Sequence, residues 1–142
     1  MNNARRILME HGLSITTSRL AVLEIFLHST YILGHTELMA LCKGNLNRIT
    51  LYRTLHLFYR QHLLVKVPST NGITRYLYRG LRDVRPGRIS HSPERKIHLI
   101  CQDCGRIISL EHAKIPPIHL PKNFEPNFID LIVNGRCNGC PK

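Results

Sequence analysis

Two Cys-x-x-Cys pairs, Cys101/Cys104 and Cys137/Cys140, stand 32 residues apart and constrain this chain more than any other feature. Each pair sets two thiolates on a tight turn, both aimed at one point. Gly105 and Gly139 supply the unhindered backbone such turns need. Four thiolates around one ion make the closed tetrahedral arrangement of structural zinc, with no position left open for chemistry. Iron–sulfur ligation usually shows other spacings. A Cys-x-x-Cys redox pair normally sits once, at a helix N-terminus after a strand, whereas both pairs here follow strand-like segments. Structural Zn2+ is the reading that fits best, with iron, redox chemistry and disulfides as the alternatives. Cys42 falls among the apolar positions of a short helix and is expected to be a small core residue.

Charge divides the chain. Its 142 residues suffice for one ordinary domain or two small ones. Lys and Arg number 20 against 9 Asp and Glu, a net charge of +11. Residues 1–88 carry 13 basic and 4 acidic side chains, and residues 89–142 carry 7 and 5. A basic first half suggests a polyanionic partner, with a solvated basic surface as the plain alternative. No apolar run reaches the roughly 20 residues needed to span a bilayer. The basic start, Met1 to Arg6, lacks the apolar stretch of a secretory signal. A cytoplasmic location with no membrane partner is expected. In a reducing compartment, spaced cysteines are more often metal ligands or catalytic groups than disulfides.

Residues 1–79 read as helices followed by a hairpin. Asn3 to His11 forms a first helix, ended by Gly12. Thr16 or Thr17 caps a second, running to His28, with Leu20, Leu23 and Leu27 in one stripe and Val22 and Phe26 broadening it. A short helix from Thr36 to Lys43 carries Leu38, Leu41 and Cys42, and a fourth runs from Arg48 to His62. Leu64–Val67 and Thr74–Tyr78 read as strands around an Asn71-Gly72 turn. This order describes a winged helix-turn-helix.

The fourth helix is the most informative. Leu51, Leu55 and Phe58 share a face suited to a core, while Ile49, Tyr52, Arg53, His56 and Arg60 occupy the opposite one. Arginine can bridge phosphates or grip guanine edges, and tyrosine can meet sugar, phosphate or thymine methyls. Lys66, Arg75 and Arg79 make the hairpin basic, as a wing against the phosphate backbone requires. A merely solvated amphipathic face is the alternative. Residues 80–95 mix Gly80, Pro86, Gly87 and Pro93 with Arg82, Arg85, Arg88 and Arg95, and read as a basic linker. Residues 96–142 are strand-like: Ile97–Ile100, Arg106–Leu110 and Phe128–Val133, each next to a cysteine knuckle. The expected fold class is α+β: a winged helix followed by a small α/β domain with a four-cysteine zinc site.

Taken in this order, the motifs of nearly the whole chain resemble those of the ferric uptake regulator family, bacterial metal- and peroxide-responsive repressors. The matching segments are Gly12-Leu13 through Thr16 and Arg19, Gly34-His35-Thr36-Glu37-Leu38, and Thr50-Leu51-Tyr52-Arg53-Thr54-Leu55. Ile97 through Gly105 and Asn134 through Cys140 complete them. The resemblance implies a winged helix (1–79) reading operator DNA, a linker (80–95), and a zinc-binding dimerisation domain (96–142). It implies a homodimer on a palindromic duplex, with Tyr52 and Arg53 as the DNA-contacting pair. Arg19, Arg48, Thr50, His56, Arg60 and Arg75 are the further candidate DNA contacts.

Departures from the family pattern concern metal sensing. His35 and His98 match two ligand positions of the family's sensing site. Leu77, Lys96 and Ser109 stand where the other ligands are usual, and Arg95, Ile97 and Ile129 replace a second histidine–carboxylate set. Two imidazoles beside an ammonium make a poor divalent-cation site. Regulation through the usual sensor is therefore not expected. His35, His98 and linker His91 remain candidates for a second, regulatory ion, with Glu94, Glu111 and His112 as further donors. Pro116, Pro117 and Pro121 break the family's usual dimerisation helix into a short turn or an irregular segment. No nucleophile–base pair, phosphate loop or open metal position points to an enzyme. The expected function is a zinc-stabilised DNA-binding regulator, and the resemblance implies that it represses. An RNA-binding zinc protein and a thiol-based redox-switch regulator are the alternatives.

Overall fold

Apolar residues recur at three- and four-residue intervals through the first sixty positions, and the helices follow from them. The computed structural model describes residues 2–67, 72–79, 97–110, 118–125 and 131–140. The chain divides into two compact units, Met1–Gly80 and Leu81–Lys142.

In the first unit, α1 (Asn3–Glu10) buries Ala4, Ile7 and Leu8, and Asn2 caps it by accepting from the Ala4 amide at 2.9 Å. Gly12, at φ +67°, stops it as expected. Helix α2 (Thr17–His28) starts on Thr16, whose hydroxyl accepts from the Arg19 amide, and buries Val22, Leu23 and Phe26. Helix α3 (His35–Leu41) begins one residue before the expected Thr36, because the Gly34 amide donates to Glu37 Oε2 at 3.1 Å and caps the turn there. Gly34 suits a tight space: a Cβ would sit 3.0 Å from Glu37 Oε2 and 3.3 Å from the Thr74 carbonyl, so its neighbours would have to give by a few tenths of an ångström. Cys42 is buried as expected and Leu38 with it, whereas Leu41, also carried by this helix, is 52% exposed at its end.

Helix α4 (Arg48–Arg60) starts on Asn47, whose side chain accepts from the Thr50 amide at 2.7 Å, a cap worth about 1 kcal/mol. It buries Leu51, Leu55 and Phe58, the expected inner face, together with Thr54. Thr54 tolerates burial because its hydroxyl donates to the Thr50 carbonyl at 2.8 Å. The helix ends two residues before the expected His62, which takes φ +62° and turns the chain into β1. Strands β1 (Leu64–Val67) and β2 (Arg75–Tyr78) form an antiparallel hairpin, Leu64 opposite Tyr78 and Val67 opposite Arg75. Gly72 takes φ +77°, while its expected turn partner Asn71 lies outside the described residues. A bridge between Leu33 and Tyr76 adds the segment before α3 to the hairpin.

The second unit holds a three-stranded sheet in the order β4-β3-β5. Strand β3 (Ile97–Cys101) pairs antiparallel with β4 (Ile107–Leu110) and parallel with β5 (Leu131–Gly135). The third strand, expected over 128–133, is described from Leu131 and continues to Gly135, beside Cys101. Parallel pairing needs a long crossover, commonly helical. Of that crossover, residues 118–125 are described and are irregular, with one turn closed by Phe124 N–H to the Pro121 carbonyl at 3.1 Å. Pro116, Pro117 and Ile129 lie outside the described residues, as do the linker 80–95 and Lys96.

Candidate metal centre and nucleic-acid face

The sheet register builds the cysteine site. Cys101 is the last residue of β3 and lies opposite Gly135, the last of β5, so Cys137 follows two residues beyond a strand end already held beside Cys101. Cys104 returns on a turn in which Gly105, at φ +77°, donates to the Cys101 carbonyl at 2.8 Å. That backbone conformation favours glycine. Gly139 differs from expectation: its φ is not in the left-handed region, and a Cβ there would meet nothing within 4 Å. The second knuckle is thus not glycine-dependent.

The four sulfurs all lie within 4.8 Å of one another. Cys101 and Cys140 are separated by 3.4 Å, Cys104 and Cys137 by 3.7 Å, and Cys137 and Cys140 by 3.2 Å. A tetrahedron of Zn–S bonds about 2.3 Å long sets its sulfurs roughly 3.8 Å apart. The donor set and its spacing therefore fit a closed thiolate site, and all four cysteines are free of disulfides. The Cys137 amide donates to Cys101 Sγ at 3.4 Å. It is the main cause that pulls the Cys101 thiol down to about 6, with the Cys104 amide next. Cys140 is pushed up, chiefly by the adjoining Cys137 sulfur. Sulfurs this close ionise together when a cation sits among them. Among the described residues, no other group of three or more His, Cys, Asp or Glu donors converges within either unit.

The candidate regulatory histidines belong to different units. His35 opens α3 in the first unit. Its ring packs on Tyr52 with centroids 3.7 Å apart and meets the edge of Tyr76 at 6.3 Å. Burial, and then the nearby Arg48 charge, hold its pKa below the ordinary value. His98 is buried in β3 of the second unit, opposite Ser109 on β4 and Ile132 on β5. His91, Glu94, Glu111 and His112 lie outside the described residues. Leu77 on β2 is 3% exposed and counts among the buried apolar residues of its unit.

The outward face of α4 matches expectation. Arg48, Arg53, His56 and Arg60 are exposed, Tyr52 is 50% exposed and Thr50 is partly buried at the first turn. Lys66 on β1 sits over the Tyr59 ring, 4.2 Å from its centroid, joining the hairpin to the same helix. Two candidate contacts are engaged within the protein. Arg19 Nη1 donates to the Ser14 carbonyl at 2.8 Å and to its hydroxyl. Arg75 Nε donates to Glu37 Oε1 at 3.1 Å. Sequence reasoning missed the ring contact of His35 with Tyr52 and the role of Glu37. The Gly34-x-x-Glu37 spacing could have signalled the cap; nothing local signals the ring contact.

A model of the ferric uptake regulator family matches residues 10–128. The chain belongs to the ferric uptake regulator family, whose members are DNA-binding transcription regulators and not enzymes. Several solved structures share its fold. The ferric uptake regulator of Vibrio cholerae is 19% identical, with a TM-score of 0.55 over 94% of this chain and 98% of its own. That of Pseudomonas aeruginosa, solved with manganese, is 15% identical, with a TM-score of 0.58 over 97% of this chain and 100% of its own. That of Helicobacter pylori, reported with three functional metal-binding sites, is 17% identical, with a TM-score of 0.53 over 96% of this chain and 87% of its own. No curated protein sequence matches the chain. No described helix is long and apolar enough to cross a membrane.

Proposed function

We propose that this chain is a cytoplasmic, homodimeric, zinc-stabilised repressor. Residues 1–79 form the winged helix that reads a palindromic duplex, 80–95 a basic linker and 96–142 the dimerisation domain. The observation that carries the reading is the outward face of α4, where Tyr52, Arg53, His56 and Arg60 are exposed together on a helix whose other face is core. Tyr52 and Arg53 meet base edges in the major groove, and Arg48, Thr50, His56 and Arg60 meet phosphate. Arg19 and Arg75 would reach DNA only by sharing or leaving their partners Ser14 and Glu37. Cys101, Cys104, Cys137 and Cys140 hold the zinc, which supplies folding energy and no open coordination position. The usual sensing ligands are replaced at Leu77, Lys96 and Ser109, so DNA binding is proposed to be independent of a second metal.

One experiment tests this. Purified protein is analysed for metal, then used to select duplexes from a random pool, with and without added manganese, iron or zinc. One zinc per chain, a selected palindrome and ion-independent affinity are expected. Arg53→Ala is expected to weaken the selected duplex by about 1–3 kcal/mol, roughly 5- to 150-fold, with the fold unchanged. Recovery of structured RNA in place of duplex, or unchanged affinity in Arg53→Ala, refutes the assignment of α4.

A further inference from the structure

Tyr52 rests on a shelf that the rest of its unit holds in place. One face of its ring is covered by His35, with centroids 3.7 Å apart and ring planes 33° apart. His35 is itself backed by the edge of Tyr76 on β2, at 6.3 Å and 75°. The backbone that presents His35 has little freedom. Leu33 exchanges both backbone hydrogen bonds with Tyr76, at 3.1 and 2.8 Å. Gly34 packs too closely against Glu37 and Arg75 to admit a Cβ without movement. The Glu37 carboxylate accepts from the Gly34 amide and from Arg75 Nε, both at 3.1 Å, and so ties the start of α3 to the second hairpin strand. The imidazole is thus fixed from two elements, while the tyrosine it touches is half exposed on α4.

We infer that His35 is a positioning residue for DNA reading, whose ring fixes the Tyr52 side chain on the outward face of α4. This rests on the reading of α4 as the DNA-contacting helix. An exposed tyrosine free to sample rotamers loses that freedom on binding, and a side chain already held avoids the loss. Aromatic contact supplies the hold. The role needs a flat ring at position 35 and no metal bond. It also gives the start of α3 and the hairpin a direct route to the orientation of a base-reading side chain.

The test uses the full chain and the duplex selected by the wild type, with and without added Mn2+. His35→Ala is expected to weaken binding about two- to tenfold. His35→Phe, which keeps a ring and cannot ligate, is expected to restore it. In a Tyr52→Ala background the further change His35→Ala is expected to have no effect. The χ1 couplings of Tyr52, measured by NMR without DNA, are expected to average in His35→Ala and to stay fixed in His35→Phe. Equal weakening by His35→Phe and His35→Ala, additive effects in the double variant, or Tyr52 couplings unmoved by His35→Ala overturns the inference. Failure of the wild type to select any duplex overturns the DNA reading instead, and the couplings then still report whether His35 holds Tyr52.

Discussion

Cys101→Ser is expected to abolish zinc binding and to unfold the second unit while the first keeps its helices. Cys101 is the 4%-exposed end of β3 and the acceptor of the Cys137 amide, so it joins the sheet to both knuckles. Structural zinc contributes roughly 10–16 kcal/mol of apparent binding free energy, which in a small unit is folding free energy. Only the side chains of His98, Ile100 and Cys101 are deeply buried among that unit's described residues. Metal analysis, amide exchange over 97–140 and sedimentation check the result. A zinc-free variant that keeps the exchange protection of β3 would falsify the structural role of the site.

Phe58→Ala is expected to act on the other unit alone. Phe58 is fully buried in a cluster with Leu8, Leu23, Leu51, Leu55 and Leu63. Removing a buried phenylalanine costs about 3–5 kcal/mol through lost transfer energy and the cavity left behind. That is a large part of the ~5–15 kcal/mol that stabilises a domain. The helical unit should melt more than about 10 °C lower, with zinc content unchanged. Loss of zinc alongside the helices would show that the two units do not fold independently.

Local chemistry explains what the sequence made visible. The start of α2 was legible because Thr16 has its oxygen on the Arg19 amide three residues ahead, a cap written in adjacent residues; the same chemistry at Asn2 and Asn47 went unread. The inner face of α4 follows from the three-and-four spacing of Leu51, Leu55 and Phe58. The cysteine cluster was legible because paired knuckles have few other uses. What stayed hidden is non-local. Leu41 fits an apolar stripe by spacing, yet α3 ends there and the side chain stays exposed. Arg75 reads as a phosphate contact by charge, but Glu37, far away in sequence, claims it. His35 reads as a candidate metal ligand, and only the tertiary fold brings it against Tyr52.

The parallel pairing of β3 with β5 sets an order of assembly. The β3–β4 hairpin is made of neighbours in sequence and presents Cys101 and Cys104 on its turn. Cys137 and Cys140 arrive only after the chain has gone round the crossover, at an entropic cost that grows slowly with its length. An ion held first by the hairpin lowers the search for the second knuckle to a tethered one. Metal capture and closure of the sheet then become a single event. On the proposed reading, a freshly made chain would compete for its ion before it is a folded regulator, and the supply of that ion would limit how much finished protein forms, even where no ion is sensed afterwards.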